Sequence, residues 1–209
     1  MSKTLLGLAG AVIGTVMLAG TASAALVNFA DGTWDVANGL ASYSAHPSGV
    51  NLSASDNVPG TTPTLTVPNG GDGLGIRGVG DADEVSRNIL NLSETLRISF
   101  DTPTNVANLL ITNLFPHECL FGNFGCINES GQYSVNGGSP ITFTASNASG
   151  QLTVLVDAQN VSWIDLKPVD DNGRSDFSVL GLNTVPEPGT LALLGLGLVG
   201  LATARRRRS

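Results

Sequence analysis

Residues 69–84 hold the densest set of side chains able to do chemistry. Gly70, Gly71, Gly73, Gly75, Gly78 and Gly80 are interleaved with Asp72, Asp81, Asp83 and Glu84. Glycine admits positive φ, and hard cations take six to eight oxygens from carboxylates and carbonyls. Asp72, Asp81, Asp83 and Glu84 therefore offer part of a Ca2+ shell, while a solvated acidic loop is the plainer expectation. Gly73-x-Gly75-x-x-Gly78 spells a dinucleotide fingerprint. However, Pro68 and Asn69 separate it from the strand before, and no helix pattern opens after it, so that reading is rejected. Asp170, Asp171 and Asn172-Gly173, followed by Asp176, form a second acidic turn without EF-hand spacing. Cys119 and Cys126 stand close together in a Gly/Asn/Phe loop. A disulfide is the expected pairing in an oxidising compartment. A metal site with His117 and Glu118 is the alternative, lacking a second pair at zinc spacing.

Catalytic residues are not assigned. The two histidines, His46 and His117, have no Gly-x-Ser-x-Gly elbow to serve. Carboxylate pairs suit glycoside hydrolysis, but a body this acidic always supplies some pair, so none is singled out. Trp34, between Asp31-Gly32 and Asp35, is expected to expose its ring as a sugar platform. Trp163, beside Ile164, is expected in the core.

The elements that must position these groups read as short strands. Gly, Pro, Ser, Thr and Asn interrupt the chain every few residues, and no apolar 3.6-residue period persists. Strands are predicted at 26–29, 50–54, 65–67, 95–100, 106–114, 132–135, 141–145, 152–156, 161–166 and 177–182. Leu96, Ile98 and Phe100 alternate with Arg97, Ser99 and Asp101, as in a half-buried strand. Residues 136–140 and 157–160 read as hairpin turns. Many short antiparallel strands point to an all-β fold, a jelly-roll-like antiparallel β-sandwich over residues 25–184.

Both ends lie outside that fold. Residues 1–24 have Lys3, an apolar stretch, and Ala22-Ser23-Ala24, a small-x-small site. This is a signal peptide cut between Ala24 and Ala25. Residues 185–209 contain Pro186-Glu187-Pro188, an uncharged apolar run at 191–204, and Arg205, Arg206, Arg207 and Arg208. The run is short against the roughly 20 residues that cross a bilayer, and the arginines hold their end in the cytoplasm. This order resembles the PEP-CTERM sorting signal of exported bacterial proteins. The resemblance implies recognition by an exosortase-type membrane enzyme, transient residence of the C-terminal transmembrane helix in the inner membrane, removal of the tail, and release to the cell surface or exterior. The Gly-Leu-Gly turn followed by Asp81-x-Asp83-Glu84 is similar to a segment of secreted PEP-CTERM proteins with a β-sandwich body.

The span between the ends has 16 acidic against five basic side chains, a net charge of −11. Such a surface repels phosphate backbones and excludes nucleic acid as a natural partner. The expected partners are signal peptidase, the exosortase-type enzyme and extracellular polysaccharide. The expected function, implied by the resemblance, is a non-enzymatic surface or extracellular-matrix protein that accompanies exopolysaccharide. A carbohydrate-binding module, with or without Ca2+, comes second, and a glycoside hydrolase last.

Overall fold

The structure, a computed structural model, describes residues 25–67, 72–78, 84–87, 90, 92–121, 124–169 and 175–185. Ser23–Glu187 forms one compact unit, and the second, Met1–Ala22 with Pro188–Ser209, lies outside the described residues. The predicted cleavage residues Ala22 and Ala24, the Pro186-Glu187-Pro188 triplet, the apolar run and the four arginines therefore also lie outside them. Among the described residues no helix is long and apolar enough to cross a membrane.

The described body is antiparallel β. Strand β1 (Ala25–Asn28) leads into a 3-10 helix (Gly32–Ala37), then β2 (Ser42–Tyr43), β3 (Val50–Asp56), β4 (Thr64–Thr66) and β5 (Gly75–Arg77). Next come β6 (Glu94–Thr112), β7 (Glu118–Phe121), β8 (Phe124–Ile127), β9 (Ser130–Val135), β10 (Ile141–Thr144), β11 (Leu152–Pro168) and β12 (Ser178–Val185). The main sheet has eight strands in the order β1-β12-β6-β11-β9-β10, with β3 on the first half of β6 and β2 on β3. Two two-stranded ladders, β4–β5 and β7–β8, stand apart from it.

The two long strands organise the sandwich. β6 pairs with β3 over residues 94–100 and with β12 over 105–112, while β11 follows it throughout. The β6–β11 register slips three times between Leu155 and Trp163, so the ladder bends there. Leu52, Ile98 and Ile164 from one half and Leu109, Ile111 and Leu182 from the other share a single buried cluster. This packing closes the sheet over its own core, and the all-β antiparallel sandwich expected from the sequence is the architecture observed.

Two predicted details are corrected. Residues 157–160 do not turn a hairpin. Asp157 and Asn160 have φ of 44° and 53°, values that Asp and Asn tolerate better than other side chains. They form irregularities inside one continuous strand, because both flanks pair in sequence with the same partner, β6. The 95–100 and 106–114 segments are likewise one strand, carried through Pro103. The expected alternation holds, with Leu96 and Ile98 fully buried and Arg97 exposed. The predicted 136–140 hairpin is present between β9 and β10, with Asn136 and Gly137 both at positive φ, as a primed turn requires.

Candidate functional site

The sequence-predicted residues do not converge on one centre. Asp72 is exposed, and its backbone carbonyl accepts a hydrogen bond from Thr112 Oγ1. Glu84 is half-buried, and its carbonyl accepts from Ile76 N–H. Asp81 and Asp83 lie outside the described residues, as do Asp170, Asp171, Asn172 and Gly173. Among the described residues no group of three or more His, Cys, Asp or Glu side chains gathers as metal ligands. Gly75 opens a strand rather than a helix, in keeping with the rejected dinucleotide reading. Cys119 and Cys126 are direct partners across the β7–β8 ladder. His117, at φ 61°, takes Asn128 Oδ1 on its backbone N–H.

Both tryptophan expectations are overturned. Trp34 is only 1 % exposed. It is covered by Phe29 and Tyr43, each meeting it edge-on, and by the His46 ring stacked on its face at 3.8 Å. Polar neighbours in sequence gave no sign of this, because the covering residues come from the turn after β1 (Phe29), from β2 (Tyr43) and from the loop before β3 (His46). Trp163 is half-buried on the outer face of the sheet, while Ile164 takes the core position. Arg97 lies over the Trp163 ring at 5.5 Å and makes a bidentate pair with Asp165, at 2.6 and 2.8 Å.

The buried Trp34 lies beneath a polar-rimmed cleft among the described residues, a hollow of about 350 Å3. Each wall has a local cause. Asn28 Oδ1 accepts Ala30 N–H at 3.1 Å and turns the chain out of β1. Asp31 caps the 3-10 helix by accepting Thr33 N–H at 2.7 Å. His46-Pro47-Ser48-Gly49 closes a β-turn through Gly49 N–H to His46 O at 2.9 Å, with Pro and Gly where a type I turn favours them. Asn51 ties this loop to β6, accepting Ala45 N–H and donating to Asp101 Oδ1 at 2.7 Å. Thr102 and Thr104 of β6 and Thr184 of β12 complete the rim.

These contacts order a polar chain across the cleft. His46 Nδ1 accepts Ser48 N–H at 3.2 Å and lies 2.7 Å from Ser48 Oγ. An acceptor role at Nδ1 puts the imidazole proton on Nε2, which lies 3.2 Å from Thr33 Oγ1 and donates to it. Thr33 in turn bonds Asp31. The Thr33 backbone N–H first, and its hydroxyl second, hold the Asp31 carboxyl below its ordinary range. The result is an apolar floor under a rim of oriented hydroxyls, with Asp31 the one carboxylate and no Lys or Arg among the lining residues. A second hollow, between Thr112 and Leu180 and the 147–153 segment, has no titratable side chain in its lining.

The ends of the body frame this cleft. Ala25, the residue after the predicted signal cut, is directly opposite Thr184 in the β1–β12 ladder, and Thr184 Oγ1 donates to its carbonyl at 3.3 Å. The model of the PEP-CTERM protein-sorting motif matches residues 184–208, so the motif begins within the last strand. This is the signal recognised by exosortase, and it implies an exported chain. No curated protein matches the sequence. Among solved structures, the chain is similar to the F5/8 type C domain of a Bacteroides fragilis protein, at 13% identity and a TM-score of 0.34. That alignment covers 50% of this chain and 74% of that one.

Proposed function

We propose that this chain, whose residues 184–208 carry the PEP-CTERM protein-sorting motif, is a non-enzymatic protein of the bacterial surface or extracellular matrix that accompanies extracellular polysaccharide. The observation that carries this reading is the junction at β12. The sheet ends at Val185 and the sorting motif begins at residue 184, so processing there detaches a complete β body from its tail. The net charge of −11 suits a soluble domain in a hydrated polymer. Fractionation of the producing cells, with intact-mass measurement, tests it. The expected product lies outside the cytoplasm, lacks both ends, and co-sediments with the polysaccharide fraction. A full-length cytoplasmic product would overturn the proposal.

A second reading, direct polysaccharide binding, is favoured by the cleft between β1 and His46. Its accessible apolar side chains, Leu26 and Phe100 among them, and its hydroxyl rim match the two characters of a sugar ring, which is apolar on its C–H faces and polar around its edge. Small-ligand sites combine the same features, an apolar surface with a few placed polar groups.

A further inference from the structure

We infer that β1 controls the access of the exosortase-type enzyme to the sorting motif: it clasps the last residues of β12, and the tail is processed only when that clasp opens. The inference rests on the reading that the tail is processed, and adds the element of the body that sets the rate. The motif matches from residue 184, yet Thr184 and Val185 are still strand residues. Pro186-Glu187-Pro188 follow at once, so no linker separates the sheet from the triplet. Thr184 has a strand on each side, with Ala25 of β1 opposite it on one and Val106 of β6 on the other. An enzyme that draws a peptide into its active site needs backbone that no neighbouring strand occupies. Proteolysis of paired backbone proceeds through a transiently opened state, and its rate follows the population of that state.

The two sides of β12 do not hold its end equally. The ladder to β6 slips between Asn183 and Thr184, whereas the ladder to β1 runs in unbroken register over all four residues of β1. Phe29 N–H donates to Leu180 O at 2.8 Å. Every second residue of an antiparallel strand repeats that role, which puts the Val27 N–H on the Leu182 carbonyl. Thr184 Oγ1 adds a bond to the Ala25 carbonyl. Little core opposes opening. Leu182 and Phe29 are fully buried, but Asn183 and Thr184 are half-buried, Val185 is exposed, and β1 has no fully buried side chain. Residues 25–28 and 183–185 can therefore part without emptying the core, the kind of local opening that lies far below global unfolding.

The test follows the full-length chain in its producing cells by intact mass over time, which reports the signal cut and the loss of the tail separately. A Gly-Ser-Gly-Ser insertion between Val185 and Pro186 supplies free backbone without opening the sheet. Val27→Pro removes the ladder N–H and weakens the clasp. Val27→Pro should quicken tail removal about fivefold, the change in opening that one lost hydrogen bond makes. The spaced chain should gain at least as much, and adding Val27→Pro to it should give nothing more. Leu26→Cys with Asn183→Cys places two thiols directly opposite each other, outside the matched motif. Closing that bond should slow tail removal below the native rate, and reduction should restore it. A spaced or Val27→Pro chain processed no faster than the native one overturns the inference, as does a cross-linked chain processed at the native rate. Additive gains from the spacer and Val27→Pro also overturn it, since β1 would then act away from the junction. If no chain loses its tail, the processing reading beneath the inference falls with it.

Discussion

His46 lies flat against Trp34, their ring centroids 3.8 Å apart and their planes 13° from parallel. A loop residue thereby closes over the largest fully buried side chain of the body. The stack joins the 3-10 helix to the turn before β3, and through Phe29 it reaches β1. Trp34 is thus a structural key for the cleft, although it contributes no polar group to it.

Trp34→Ala should cost about 3–5 kcal/mol, the range for emptying a buried aromatic site. Trp34→Phe should cost less, because it retains an aromatic face for His46. Chemical denaturation of the two variants checks the order. A cost for Trp34→Ala near that of a surface substitution would mean that the ring is not enclosed.

Gly181 sits where β12 pairs with β1, opposite Asn28. A Cβ built on it would stand 2.3 Å from the Val27 carbonyl oxygen. Backbone cannot yield as a flexible side chain does, so Gly181→Ala should push β1 off the edge and destabilise the fold by about 1–3 kcal/mol. Hydrogen exchange should quicken at residues 25–28 before it quickens in β6. Because β1 lines the cleft, the same variant should lose glycan affinity.

Arg97 and Asp165 form a pair with good geometry but on an open face, where Arg97 remains half exposed. Such pairs contribute about 0.2–1 kcal/mol. A double-mutant cycle with Arg97→Ala and Asp165→Ala should return a coupling in that range, falling as salt is raised. The Asp165 contact raises the pKa of Arg97 further above an already high value, so the coupling should stay flat through neutral and mildly alkaline pH.

Much of the sheet was legible in local pattern. Leu96, Ile98 and Arg97 alternate in sequence and do so in burial, because a strand with one wet face imposes a two-residue period. The continuity of β11 was not legible. Asp157 and Asn160 are turn formers, and only pairing with a long β6 holds their left-handed conformations inside a strand. Trp34 was misplaced for a similar reason. Its immediate neighbours are polar, and the groups that bury it arrive from Phe29, Tyr43 and His46. The cleft could not be found from any one segment, since Thr33, Ser48, Thr104 and Thr184 are brought together only by the fold. The sorting signal, in contrast, is a contiguous motif and was legible as such.

Asp31 supplies a pH test of the same region. Its folded-state pKa is lowered by the Thr33 N–H and hydroxyl, so its contribution to stability is present above the unfolded value of about 3.9 and is lost as pH falls through the lower, folded value. Asp31→Asn keeps an acceptor at the helix start but removes the charge. Wild type should be the more stable chain at neutral pH, and the gap should close in strong acid. A gap independent of pH would show that the carboxylate charge is not what Thr33 stabilises.

Cys119 and Cys126 face each other across the β7–β8 ladder, and directly opposed residues of an antiparallel pair have Cα atoms about 4.5–5.5 Å apart. That separation falls within the span a disulfide bridges, about 4.4–6.8 Å. We therefore expect the exported chain to carry this bond, with an intact mass two hydrogens below that of the reduced form. Because the closed loop is short, the bond should add only about 2–3 kcal/mol. Cys119→Ser and Cys126→Ser should each lower the melting temperature, and by the same amount as reduction of the native chain. If both thiols react with an alkylating agent in the folded, exported protein, the bond is absent, and the β7–β8 ladder is held by its backbone pairing alone.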